Sequence, residues 1–184
     1  MKELPKAYEP KNYEDQIYKR WEKSGFFNPD NLEGEPYTIV MPPPNANAPS
    51  HVGHALGYTI QDILIRFNRM RGKKTLWLPG TDHAGFETQV VFEKKLEKEG
   101  SSRFKMTREE FYAACWDYVQ TNKHISENAI RRLGASCDWS RNIFTLDPEI
   151  VKVVYQTFKK MYDDGLIYRA GRICNWCPKH QTGL

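Results

Sequence analysis

Between Tyr37 and Leu78 the apolar positions change period twice. Tyr37-Thr-Ile-Val-Met41 is a short β-rich run and reads as a buried strand. Leu56, Ile60, Ile63, Leu64, Phe67 and Met70 then recur at helical spacing. They predict a helix that opens on His51-Val-Gly-His54, buries that apolar face and ends at Arg71-Gly72. Thr75-Leu-Trp-Leu78 returns to a strand, stopped by Pro79-Gly80. Strand, helix and strand in that order make a βαβ unit, so the two strands should run parallel with a right-handed crossover.

The flanks are helical. Asn12 is placed to cap a helix through Ile17 and Trp21 that stops near Ser24-Gly25. A polar-faced helix is predicted over Ala84–Glu99, ended by Gly100. Thr107-Arg-Glu-Glu110 is a capping box opening another helix, and a separate one is expected over Ser126–Leu133. Asp147-Pro148 starts a last helix, Asp as cap and Pro at its first position, with Val151, Val154, Tyr155, Phe158, Met161 and Tyr162 as its apolar face. Leu166-Ile-Tyr168 reads as a strand. Two convincing parallel strands are too few for a doubly wound sheet, so either strands are hidden in the middle region or the chain is part of something larger.

The totals exclude more than they assign. At 184 residues the chain can bury about 70% of its unfolded surface and needs no staples. Its net charge of +4, from 27 basic and 23 acidic residues, is too mild to argue for nucleic acid by itself. Neither a membrane span nor a signal peptide is present in the pattern, and four cysteines without secretory context point to a cytoplasmic protein with reduced or metal-bound thiols.

The chemistry concentrates in two loops. Met41-Pro-Pro-Pro-Asn-Ala-Asn-Ala-Pro-Ser-His-Val-Gly-His54 follows the first strand. Three prolines end the hydrogen-bond ladder and hold the loop extended. The helix start behind them should offer unpaired N–H groups and the positive dipole end to phosphate. His51 and His54, three apart, share one face, and Gly53 leaves room for a ligand at the backbone. Pro79-Gly-Thr-Asp-His-Ala-Gly85 follows the second strand, so both loops should project into one crevice beyond the carboxyl ends of the strands. Asp82 suits an ammonium group, a bond of about 1.5–3 kcal/mol. His83 could reach a ribose or phosphate oxygen, and Asn45 can serve the polar end of a zwitterion. Taken alone, an aspartate or a histidine before a helix is ordinarily a cap or a surface residue. The two loops strengthen each other because they emerge at the same end of one sheet.

These motifs resemble those of the class I aminoacyl-tRNA synthetases. His51-Val-Gly-His54 is similar to their His-Ile-Gly-His signature. Pro42-Pro-Pro-Asn45, Leu78-Pro-Gly-Thr-Asp-His-Ala-Gly85 with Thr88-Gln89, Leu133-Gly-Ala-Ser-Cys-Asp-Trp-Ser-Arg141, Phe144-Thr-Leu-Asp147, Gly165-Leu-Ile-Tyr-Arg169 and Asn175-Trp-Cys-Pro178 resemble the valyl branch. The resemblance covers nearly the whole chain in the family's order. It implies an α/β fold: the first half of a Rossmann-like parallel-sheet catalytic domain over 1–165, with additional helices, then over 166–184 the root of the inserted editing and zinc region. It implies ATP-dependent activation of valine to valyl-adenylate and transfer to tRNA(Val). His51 and His54 would contact ATP phosphates (with Mg2+) and stabilise developing charge. Gly53 would let the nucleotide lie against the helix, and His83 would contact the adenylate. Asp82 would bind the amino group, with Asn45 and Pro43 shaping the amino-acid pocket.

The chain departs from the family at several points. Asn47-Ala48 stand where the family usually has Thr-Gly, which puts the loop's backbone conformation in question. Phe86-Glu87 replace the usual Ile-Ala. No Lys-Met-Ser-Lys-Ser signature occurs, so the chain by itself, expected to be monomeric and independent of membranes, should not charge tRNA. Cys174-Asn-Trp-Cys177 has metal-ligand spacing but is half a tetrahedral zinc site, with His180 a weak third candidate. Arg66, Arg69, Arg71, Lys73 and Lys74 form a basic cluster at a helix C-terminus, read as dipole compensation or as a contact for tRNA phosphate. The competing readings are a synthetase of isoleucine or leucine type, another nucleotidyltransferase with a His-x-Gly-His loop, and a stand-alone nucleotide- or RNA-binding module.

Overall fold

The computed structural model describes residues 6–183, which divide into two compact units between Asp147 and Pro148. The first unit runs α1 (Glu14–Lys23), β1 (Pro36–Val40), α2 (Val52–Met70), β2 (Lys74–Leu78), β3 (Gly80–Thr81), α3 (Phe86–Lys98), α4 (Arg108–Arg132) and β4 (Ile143–Phe144). β1 and β2 are parallel, in register from Pro36↔Lys74 to Val40↔Leu78, and α2 crosses between them. The predicted βαβ unit is therefore present. β3 continues the line of β2 and pairs in parallel with β4, Gly80 against Ile143 and Thr81 against Phe144. That strand pair is hidden in the middle region, and at two residues per strand it carries no periodic signal.

The core sits beneath β2. Trp77 is fully buried with Met41, Tyr58, Ile65, Ile130, Ala135 and Cys137. Its indole N–H donates to Gln61 Oε1 at 3.0 Å. Burial raises the Cys137 thiol far above its ordinary pKa, as befits a packing residue. Tyr18 of α1 donates to the Ala135 carbonyl at 2.7 Å and accepts the Trp139 indole N–H at 2.7 Å, tying the N-terminal helix to the far end of the unit.

Several expectations are corrected. α2 turns the other face inward. Tyr58, Ile65 and Asn68 are buried, while Leu56, Ile60, Ile63, Leu64, Phe67 and Met70 are exposed. The inward side is polar because it is used for hydrogen bonds. Asp62 accepts the Ser136 N–H and hydroxyl, and Arg69 donates to Thr75 Oγ1 and to the Ser136 hydroxyl and carbonyl. Arg66 pairs with Asp62 and reaches the Gly134 carbonyl, so Arg66 and Arg69 of the basic cluster brace the fold. Lys73 pairs with Glu35.

The two helices expected between Thr107 and Leu133 are one, α4, because buried polar residues Asn122, Ser126 and Glu127 interrupt its apolar period without interrupting its backbone. Its predicted capping box is present: the Thr107 N–H donates to Glu110 at 2.8 Å and the Glu110 N–H to Thr107 Oγ1 at 3.2 Å. Asn12 is not the α1 cap, because Pro10–Asn12 form a 3-10 turn and Tyr13 occupies the cap position without a side-chain bond.

The second unit holds α5 (Pro148–Asp163) and a two-stranded antiparallel hairpin, β5 (Trp176–Cys177) with β6 (Thr182–Gly183). Leu166-Ile-Tyr168 forms no strand. Val154, Tyr155, Phe158, Met161 and Tyr162 of the apolar face of α5 are exposed, and the helix has no buried residue. Among the described residues no helix is long and apolar enough to cross a membrane.

Candidate active site

The two loops predicted to share a crevice are joined by their backbones. The Asp82 N–H donates to the Pro44 carbonyl at 2.9 Å, and the Ala46 N–H donates to the Asp82 carbonyl at 2.7 Å. Asn45 and Asp82 thereby form an isolated parallel bridge. Four residues lie between Val40 and Asn45 but three between Leu78 and Asp82, so the proline side carries one extra residue, as in a bulge. Ala46 is fully buried against Val119 and Phe144, anchoring the loop. α4 holds the next two residues, with Tyr118 Oη donating to the Asn47 carbonyl at 2.7 Å and Ser126 Oγ to the Ala48 carbonyl at 3.4 Å. These bonds fix the loop at Asn47-Ala48.

Pro42, Pro43, Pro44, Asn45, Gly53, His54, Gly57, Tyr58 and Gln61 line one cleft of about 300 Å3. Four predicted site residues, Pro43, Asn45, Gly53 and His54, thus meet there. His51 packs on His54 with ring centroids 4.0 Å apart, and Asp82 joins through its backbone bridge to Asn45, with His83 next in the chain.

The histidines satisfy the helix start themselves. The Gly53 N–H donates to His51 Nδ1 at 3.1 Å, and the His51 N–H donates to His54 Nδ1 at 3.2 Å. The N–H groups expected to be open to phosphate are therefore already bonded at these two positions. An Nδ1 that accepts an amide N–H carries no proton, so each neutral ring has its hydrogen on Nε2. Burial, then the neighbouring His51, lower the His54 pKa below the ordinary imidazole value, which favours this neutral donor form. Gly53 also serves the His51 ring. A Cβ there would stand 2.9 Å from His51 Cε1 and 3.0 Å from Nδ1, so glycine makes room for the His51 ring.

Asp82 is not a helix cap. The cap position of α3 is Gly85, without a side-chain bond, and Asp82 Oδ1 instead accepts the Thr145 hydroxyl at 3.1 Å. His83 is clamped: its N–H donates to Thr145 Oγ1 at 3.0 Å, and its carbonyl accepts the Thr88 hydroxyl at 2.6 Å. The following Ala84 has φ 54°, a left-handed conformation costing an L-residue roughly 1–2 kcal/mol. The tight turn lets the loop present Asp82 and His83 side by side before the chain enters α3.

Three residues given no site role from the sequence belong to this neighbourhood. Tyr58 and Gln61 lie four and seven positions after His54, on the same face of α2, and that spacing could have found them. Thr145 has no such signal, because only the β3–β4 pair brings it to Asp82. In the second unit Cys177 Sγ lies 3.3 Å from His180 Nδ1. Among the described residues no three or more His, Cys, Asp or Glu side chains are grouped to hold a metal ion, so the residues present do not fit a closed tetrahedral zinc site.

Comparison with known proteins decides the family. The family described as tRNA synthetases class I (I, L, M and V) matches residues 16–184. This chain belongs to the class I tRNA synthetases. The valine--tRNA ligase of Clostridium acetobutylicum is 47% identical over 183 residues, 99% of this chain and 21% of the relative. A chloroplastic/mitochondrial valine--tRNA ligase of Arabidopsis thaliana is 48% identical over 172 residues, 93% of this chain and 18% of the relative. The chain thus spans about a fifth of the length of the curated relatives it matches. A solved structure, the Agrobacterium radiobacter LeuRS in a ternary complex with tRNA and LeuAMS, superposes with a TM-score of 0.79 over 97% of this chain and 21% of that one, at 23% identity. The synthetase catalytic fold, Rossmann-like with mixed helices and strands, is thereby shared.

Proposed function

We propose that this synthetase chain supplies part of the adenylate-forming site of a valine--tRNA ligase. That enzyme activates valine with ATP and Mg2+ and transfers it to tRNA(Val). The carrying observation is the joining of the proline–histidine loop to the Asp82–His83 loop by the Asn45–Asp82 bridge. The identity of 47–48% to valine--tRNA ligases supports the choice of amino acid.

In this proposal the valine carboxylate attacks the α-phosphate, pyrophosphate leaves, and the site acts by positioning and charge stabilisation. The Nε2–H groups of His51 and His54 donate to phosphate oxygens. Asp82 pairs with the ammonium group of valine. Pro43 and Asn45 shape the amino-acid pocket, Gly53 keeps the His51 ring seated beside the nucleotide, and His83 contacts the adenylate. Residues 1–165 belong to the catalytic domain, and 166–184 to the root of an inserted editing region. Zinc enters only as a ligand of the full-length protein, with Cys174 and Cys177 as two of its donors.

The test is calorimetric titration with a non-hydrolysable valyl-adenylate analogue beside its isoleucyl counterpart. Selective binding of the valyl form is expected. Asp82→Ala should weaken it by about ten- to a hundredfold, the loss of one charge-assisted bond of about 1.5–3 kcal/mol. Equal binding of both analogues would overturn the valyl assignment, and an Asp82→Ala variant that binds normally would remove Asp82 from the site. The 184-residue chain alone should show no tRNA charging above background, and steady turnover in that assay would refute its dependence on further residues.

A further inference from the structure

Thr145 Oγ1 touches three groups of known hydrogen-bonding sense. It lies 3.0 Å from the His83 backbone N, 2.6 Å from His83 Nδ1 and 3.1 Å from Asp82 Oδ1. The backbone N–H can only donate, and an ionised carboxylate can only accept. The hydroxyl has one hydrogen. If that hydrogen went to Nδ1, two acceptor oxygens would face each other at 3.1 Å with nothing between them. Given to Asp82, it makes a charge-assisted bond, the stronger of the two choices. Nδ1 must then donate to Oγ1, which also turns its N–H toward the Asp82 carboxylate 3.5 Å away. In the neutral ring Nε2 is then left without a hydrogen.

We propose that Thr145 is a positioning residue that holds His83 in its Nδ1–H form and aims the Asp82 carboxylate. The site then contains two imidazoles that donate through Nε2, His51 and His54, and one that accepts through Nε2, His83. The donors match phosphate oxygens. The acceptor matches a hydroxyl or ammonium hydrogen, such as a ribose hydroxyl of the adenylate. This assignment of ligand groups rests on the proposed adenylate site; the tautomer of His83 does not.

Thr145 is in place because its N–H donates to the Thr81 carbonyl at 3.1 Å, continuing the β3–β4 ladder by one bond. The ladder fixes its backbone, and β-branching restricts its χ1. A valine keeps the shape and loses the hydroxyl; a serine keeps the hydroxyl.

The experiment is nitrogen NMR of 15N-histidine-labelled chain, at a pH well above the ordinary imidazole range. The His83 signals are assigned by their loss in His83→Gln. The unsubstituted chain should show His83 protonated on Nδ1, opposite to His51 and His54. Thr145→Val should shift His83 toward the Nε2–H form, and Thr145→Ser should retain Nδ1–H. Thr145→Ala makes the same comparison if the valine variant does not fold. An Nε2–H His83 in the unsubstituted chain, or an Nδ1–H His83 that survives loss of the hydroxyl, overturns the proposal. Titration with the valyl-adenylate analogue reads the consequence: affinity should fall about tenfold or more in Thr145→Val and recover in Thr145→Ser. Failure of the unsubstituted chain to bind the analogue would count against the adenylate site, while the tautomer would still decide the role of Thr145.

Discussion

Gly53→Ala should damage the site far more than the fold. The added Cβ would stand 2.9 Å from His51 Cε1 and 3.0 Å from Nδ1, closer than a carbon can approach. The His51 side chain must shift to make room, which disturbs its bond from the Gly53 N–H at 3.1 Å. Losing that side-chain cap destabilises the start of α2 by about 1 kcal/mol. Alanine in place of glycine in a helix returns about as much through backbone entropy. The two effects nearly cancel, so a urea melt should move by less than about 1 kcal/mol. Binding has no such compensation. In the proposed site, displacing one Nε2–H donor from a phosphate forfeits a charge-assisted bond of about 1.5–3 kcal/mol, roughly ten- to a hundredfold in affinity for the adenylate analogue. Gly53→Ser should behave alike. Unchanged affinity in either variant would show that His51 is not positioned by Gly53.

That prediction marks where reading the chain by itself stops. The glycine between two histidines is visible in the sequence, and so is the helix it opens. What glycine makes room for is visible only when the His51 ring is placed. α2 teaches the same lesson on a larger scale. Its apolar stripe announces a helix, but periodicity does not tell which side of the helix meets the rest of the chain. Here Tyr58, Ile65 and Asn68 are buried, and Gln61, Asp62 and Arg69 take hydrogen bonds beside them. The parallel β1–β2 pair was legible because strand, helix and strand each carry their own period and their own stop signal. β4 was not, since two residues have no period, and Thr145 is carried to Asp82 by that strand alone. The proline loop was legible as a wall. Its attachment to Asp82 through two backbone bonds was not, because backbone bonds leave no mark on residue choice.

Trp77→Ala should have the largest effect on stability of any single change in the first unit. The side chain is wholly buried in the main core, and emptying it should cost about 3–5 kcal/mol. A domain of this size has about 5–15 kcal/mol in all, so the variant should be marginal or unfolded at room temperature. Trp77→Phe separates packing from hydrogen bonding. It keeps most of the volume but removes the indole N–H that Gln61 Oε1 accepts at 3.0 Å, at a cost of about 1 kcal/mol for that bond plus part of the volume lost. Gln61 lines the cleft with His54 and Tyr58, so freeing its amide should loosen one wall while the fold persists. Equilibrium unfolding in urea and titration with the adenylate analogue, measured on both variants, distinguish the two roles. Trp77→Phe should fold cooperatively and bind more weakly. If Trp77→Ala lost less than about 1 kcal/mol, Trp77 would not anchor this core. If Trp77→Phe bound at full strength, the indole would serve packing alone. The core beneath β2 and the cleft above it share this residue's partner, so the strand that closes the βαβ unit also sets the shape of the site.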